Sequence, residues 1–80
     1  MIKDEFLKRI KEKISLGKYL IVTEGITDEP LVLGCAYDEG LWKVYRTRER
    51  SGHFIIREFE SENDAFDYFY EIVLFYHRGS

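Results

Sequence analysis

Eighty residues carrying a net charge of −3 suffice for one small domain and no more. At 45% hydrophobic and 34% charged residues, the chain is too apolar for a disordered segment and too charged to span a bilayer. These proportions exclude a multidomain enzyme, a coiled-coil rod and a transporter. Six Phe, six Tyr and one Trp stand out. Large rings suit a small core, because each removes roughly 150–250 Å² from water. The lone Cys35 excludes an internal disulfide and a cysteine-based zinc site. The start Met1-Ile2-Lys3-Asp4-Glu5 mixes charges and lacks a signal-like apolar run, so a cytoplasmic protein is expected. A single domain over residues 1–78 is expected, with Gly79-Ser80 resembling a cloning remnant.

Residues 2–15 predict a helix, with Ile2, Phe6, Ile10 and Ile14 recurring every fourth position and Leu7 widening the stripe. Asp4–Lys8 and Glu5–Arg9 are acid-before-base pairs at i,i+4, and Gly17 stands at a C-cap position. Lys11, Lys13 and Lys18 suit the negative end of the dipole. Residues 19–24 form a first strand, followed by the Gly- and Pro-punctuated segment 25–30. A second strand covers 31–37, with Gly34 signalling a bulge or a close approach. Asp38-Glu39-Gly40 then makes a tight hairpin turn.

In the third strand, 41–48, Trp42 and Val44 alternate with Lys43, Tyr45 and Thr47. Glu49-Arg50-Ser51-Gly52 turns the chain into a fourth strand, 53–59. Residues 62–77 predict a second helix, opened by a Ser61–Asp64 capping box. Its apolar face comprises Ala65, Phe66, Phe69, Ile72, Val73 and Tyr76, with Tyr68, Glu71 and Phe75 on the far side. The order α-β-β-β-β-α, with short connections, predicts a two-layer α+β domain. An antiparallel four-stranded meander carries the N-terminal and C-terminal helices on one face.

Catalytic chemistry finds little support. Cys35 lies in an apolar strand and reads as a small core residue. His53 and His77 have no partners at ligand spacing, and no glycine-rich phosphate loop occurs. No enzyme, cofactor or metal is expected. Net charge runs in blocks: +3 over residues 1–18, −5 over 19–42, +4 over 43–57 and −5 over 58–80. Lys43, Arg46, Arg48, Arg50 and Arg57 interleave with Trp42, Tyr45 and His53, a pattern found in nucleic-acid binders. The acidic Glu62-Asn63-Asp64 opening of the last helix and the overall acidity weigh against RNA or single-stranded nucleic acid as partner. Protein binding has the better case. Tyr68 and Phe75, flanked by Asp64, Asp67 and Glu71, form an anchor-and-rim surface for a basic partner. The acidic loop containing Asp28 and Glu29 is a second candidate surface.

The C-terminal half is more specific. Trp42-Lys43-Val44-Tyr45, the polar turn Glu49-Arg50-Ser51-Gly52 and the run Phe59-Glu60-Ser61-Glu62-Asn63-Asp64-Ala65-Phe66-Asp67-Tyr68-Phe69 lie within residues 41–76. This W-x-V-Y strand, second strand and E-x-x-A-F-x-x-F helix resembles small immunity proteins of bacterial polymorphic toxin systems. The resemblance implies a protein that binds a cognate toxin domain and blocks it by occlusion, without cofactor or chemistry. It marks no individual binding residue. The alternative is a small protein-interaction or regulatory domain, homodimeric through a strand edge or an outer helix face.

Overall fold

The computed structural model describes residues 1–13, 19–48 and 52–78, with side chains over 1–10, 19–48 and 52–76. Ile14, Gly17, Lys18, the Glu49-Arg50-Ser51 turn and Gly79-Ser80 lie outside the described residues, as do the side chains of Lys11, Lys13 and His77. The order is α1 (Lys3–Lys13), β1 (Leu20–Val22), β2 (Val32–Asp38), β3 (Leu41–Arg48), β4 (Gly52–Phe59) and α2 (Glu62–Arg78). The four strands form one sheet in sequence order, with both helices covering one face.

That covered face holds the main core. Phe6 and Ile10 of α1 meet Ala65, Phe66, Phe69 and Val73 of α2 over Leu33, Cys35 and Val44 of the sheet. The Phe6 ring lies 4.9 Å from Phe69 and 5.3 Å from Phe66. Each such pair adds roughly 0.5–1.5 kcal/mol beyond the area it buries. Ile2 and Leu7, expected on the α1 stripe, are exposed. Of the two expected i,i+4 pairs, Glu5–Arg9 closes at 3.2 Å.

The Ser61 half of the expected capping box forms, with the Asp64 N–H donating to Ser61 Oγ at 3.3 Å. Glu62 reaches further and accepts from the Lys3 N–H at 3.0 Å, so the first residue of α2 caps the first turn of α1. Strands β2 and β3 are joined by a tight turn in which Glu39 (φ 51°) and Gly40 (φ 84°) are both left-handed, as a two-residue hairpin of right-handed twist demands.

One expectation fails. Strand β1 does not continue the antiparallel meander but pairs parallel to β2, with Leu20 opposite Val32 and Val22 opposite Gly34. The chain between them is not a hairpin loop. Residues 23–31 cross the face of the sheet opposite the helices and return to the end where β1 began. The side chains explain the choice. Ile26 and Val22 pack on Val32, Ala36 and Tyr45, a small second core that an antiparallel turn would leave open.

Three polar ties fix this strap. The Tyr45 hydroxyl donates to the Gly25 carbonyl at 2.7 Å and accepts from the Thr27 N–H at 3.3 Å. Asp28 Oδ1 accepts from the His53 N–H at 3.0 Å and lies 2.5 Å from His53 Nδ1. The Val32 N–H donates to the buried Thr47 Oγ1 at 2.7 Å. Gly34 makes the strap's anchor fit: a Cβ built there would lie 2.1 Å from Tyr45 Cζ, so the ring runs directly over the glycine.

β3 and β4 pair antiparallel with a bulge. Val44 faces Arg57 and Tyr45 faces Ile55, leaving Ile56 as the extra residue. The bulge turns Ile56 toward the main core and interrupts the regular ladder in the strand that forms one sheet edge.

Gly34→Ala will destabilise the protein by about 2 kcal/mol or more in urea unfolding. Tyr45→Phe, losing only the strap tie, will cost about 1 kcal/mol and speed amide exchange at Thr27. The His53 contacts hold the Asp28 carboxyl below its ordinary range, chiefly through the ring hydrogen bond. Its stabilising contribution is therefore complete above the ordinary carboxylate pKa and drains away as pH falls through the lowered value. Protection of the His53 amide will drop across that acid range in the native chain and stay flat in Asp28→Asn.

Candidate functional site

The residues singled out on the last helix gather along the seam between edge strand β4 and α2. At the N-terminal end of α2, Asp64, Asp67, Tyr68 and Glu71 line a shallow groove with Arg57 and Phe59 of β4. Tyr68 was expected on the far side of the helix. It is instead half-buried, its ring 5.4 Å from Phe59, because position 68 lies over the sheet edge rather than over α1. Arg57 covers both rings, with Cζ 5.1 Å from the Phe59 centroid and 5.5 Å from that of Tyr68.

Asp64 and Glu71 are exposed along the rim. Asp67 is exposed too and pairs with the Met1 amino group. Phe75 stands apart, 67% exposed and one helical turn beyond Glu71, touching only Tyr76 among the described rings. The second candidate surface is not a free acidic loop. Asp28 is engaged by His53 as the strap's pin, while Glu29 is exposed beside it, its N–H donating to Thr27 Oγ1 at 3.2 Å.

Sequence reasoning missed the rings that extend this end. Tyr37, Trp42 and Phe59 are register partners across β2, β3 and β4, so all three point to the helix face as one rung. Trp42 lies 5.3 Å from Tyr37 and 5.6 Å from Phe66. Tyr37, at the outer end, is 60% exposed. The signal was present in the alternation of each strand, but it became readable only with the inter-strand register.

The basic sheet face proposed for nucleic acid separates into two. Lys43, Tyr45 and His53 point to the strap side, while Trp42, Arg46 and Arg57 point to the helix side. Lys43 is also engaged, 3.1 Å from Asp38, 3.8 Å from Glu58 and 3.9 Å from Glu39. Its ammonium pKa is raised, first by the Asp38 hydrogen bond. On the helix side, Arg46 and Arg48 gather near the C-terminal part of α2, around Phe54 and Tyr76. The seam therefore carries both signs of charge, with carboxylates and Arg57 at one end, Arg46 and Arg48 at the other and rings at both.

Among the described residues, no group of three or more His, Cys, Asp or Glu side chains converges as metal ligands would. No described helix is long and apolar enough to cross a membrane. Cys35 is fully buried, and burial, with a smaller contribution from nearby Glu62, pushes its thiol up to about 12. Comparison with family models, curated proteins and solved structures yields no match. Cys35 will resist a thiol-specific disulfide reagent at pH 8 in the native chain and react at the rate of a free thiol once denaturant unfolds it.

Proposed function

We propose that the protein is an inhibitor of the immunity type, binding a cognate bacterial toxin domain through the acidic end of the β4–α2 seam and blocking it by occlusion. The observation that carries this reading is the groove in which Asp64, Asp67 and Glu71 rim the stacked Phe59 and Tyr68 rings. Rings at the centre supply desolvated contact area, and carboxylates at the rim steer a basic surface toward them. Both elements of the groove are regular secondary structure, so little ordering cost falls on binding. The resemblance of residues 41–76 to immunity proteins supports the toxin as the partner. The reading requires neither cofactor nor chemistry.

A homodimer formed by edge pairing of β4 is the weaker reading, since the Ile56 bulge and the charged Arg57 beside it blunt that edge.

Affinity capture with the tagged chain from nuclease-treated lysate of the source cells will return one stoichiometric protein, released only by high salt or denaturant. The triple substitution Asp64→Lys, Asp67→Lys, Glu71→Lys will slow association with that protein by about tenfold or more at low salt, with the difference shrinking as salt is added. An unchanged association rate would exclude this end of the seam as the interface.

A further inference from the structure

At the opposite end of the seam, two arginines stand without a carboxylate partner among the described residues. Arg46 and Arg48 lie two residues apart on β3, and both guanidinium groups rest on one ring. Arg46 Cζ is 5.0 Å and Arg48 Cζ 4.8 Å from the Phe54 centroid. Arg46 is also held from the helix side, 5.1 Å from the Tyr76 centroid. Its Nε is buried without a hydrogen-bond partner.

Neither guanidinium pairs with a carboxylate or donates a hydrogen bond to any described residue. Other cations do pair: Lys3 with Glu24, Arg9 with Glu5 and Lys43 with three acids. Two like charges on one ring repel, and a buried unpartnered donor adds a desolvation cost. The negative end of the α2 dipole offsets part of this. An oxyanion held by the outer nitrogens of both guanidinium groups would offset the like-charge repulsion. The rings hold Arg46 in one orientation before any ligand arrives, and a planar guanidinium recognises oxyanions in bidentate fashion.

We infer that Arg46 and Arg48, braced by Phe54 and Tyr76, form a binding site for a single oxyanion group, a phosphate or a carboxylate. The site is separate from the acidic groove and does not rest on the toxin-binding reading. Phosphate and carboxylate share the fork-matching oxygen pair, and the two sources are told apart by their affinities.

The test is a titration of the isotope-labelled full chain, followed by nuclear magnetic resonance at constant ionic strength. One arm uses inorganic phosphate and the other N-acetylaspartate. The expected result is saturable shifts at Arg46, Arg48 and Phe54, with resonances of Asp64 and Glu71 unmoved. Stronger binding of phosphate assigns the site to a phosphate group, and stronger binding of N-acetylaspartate assigns it to an acidic side chain. Arg48→Gln, at an exposed position that leaves the core intact, will weaken the preferred anion by about tenfold. Arg46→Lys, keeping the charge but not the fork, will do the same. Shifts that stay linear in both arms, or that are equal in the native chain and both variants, would overturn the site.

Discussion

The Tyr45 ring lies across Gly34 with no room between them for even a methyl group, and the topology of the strap side depends on that contact. A ring laid flat over the neighbouring strand carries its hydroxyl out to the Gly25 carbonyl, on the segment that has just left β1. That segment therefore runs over the sheet instead of turning beside it. Once it does, β1 can meet β2 only in parallel. Parallel neighbours normally need a crossover of a dozen or more residues, usually a helix. Residues 23–31 manage with less because side chains from β3 and β4, Tyr45, Thr47 and His53, supply partners along the route. Burial raises the Tyr45 hydroxyl pKa above its ordinary value, which keeps the phenol a donor further into the alkaline range.

The two faces of the sheet thus have different duties. The strap closes one, with Lys43 and three carboxylates balancing charge there. The other receives the helices, and α2 covers it incompletely toward β4. Along that uncovered margin, charge is separated rather than paired. Arg57, Arg46 and Arg48 meet rings instead of carboxylates, while Asp64 and Glu71 face solvent. Exposed ion pairs contribute little to stability. Leaving Asp64 and Glu71 unpaired therefore costs the fold little and leaves their fields directed outward, where they act on a partner.

Much of this was legible in the chain. The α2 stripe of Ala65, Phe66, Phe69 and Val73 is fully buried where helical spacing placed it, and Ser61 caps the helix. The alternation in β3 correctly separated Val44 from Tyr45 and Thr47. Other features depended on distant partners. Nothing local in Leu20–Val22 distinguishes parallel from antiparallel pairing, since three apolar residues suit either. Gly34 signalled either a bulge or a close approach, and only the structure shows that it is the latter, with Tyr45 as the neighbour. Tyr68 was misplaced because a helical wheel gives the angle between side chains but not the position of the sheet edge beneath them. The Tyr37–Trp42–Phe59 rung and the meeting of Arg46 and Arg48 on Phe54 depend on register, which the Ile56 bulge shifts by one residue midway along β4.

The bulge also links the fold to its outer surface. Without it, the alternation of β4 would be unbroken, and Phe54 and Arg57 could not both face the helix side. With it, Phe54 meets Arg46 and Tyr76 at one end, while Arg57 meets Phe59 and Tyr68 at the other. One extra residue thus places aromatic and cationic groups at both ends of the seam and at the same time interrupts the edge against pairing with another strand. On an edge strand that contributes no fully buried residue, an irregularity that costs a ladder bond takes little from the core and is free to shape a surface. The β4–α2 seam is the surface it shapes.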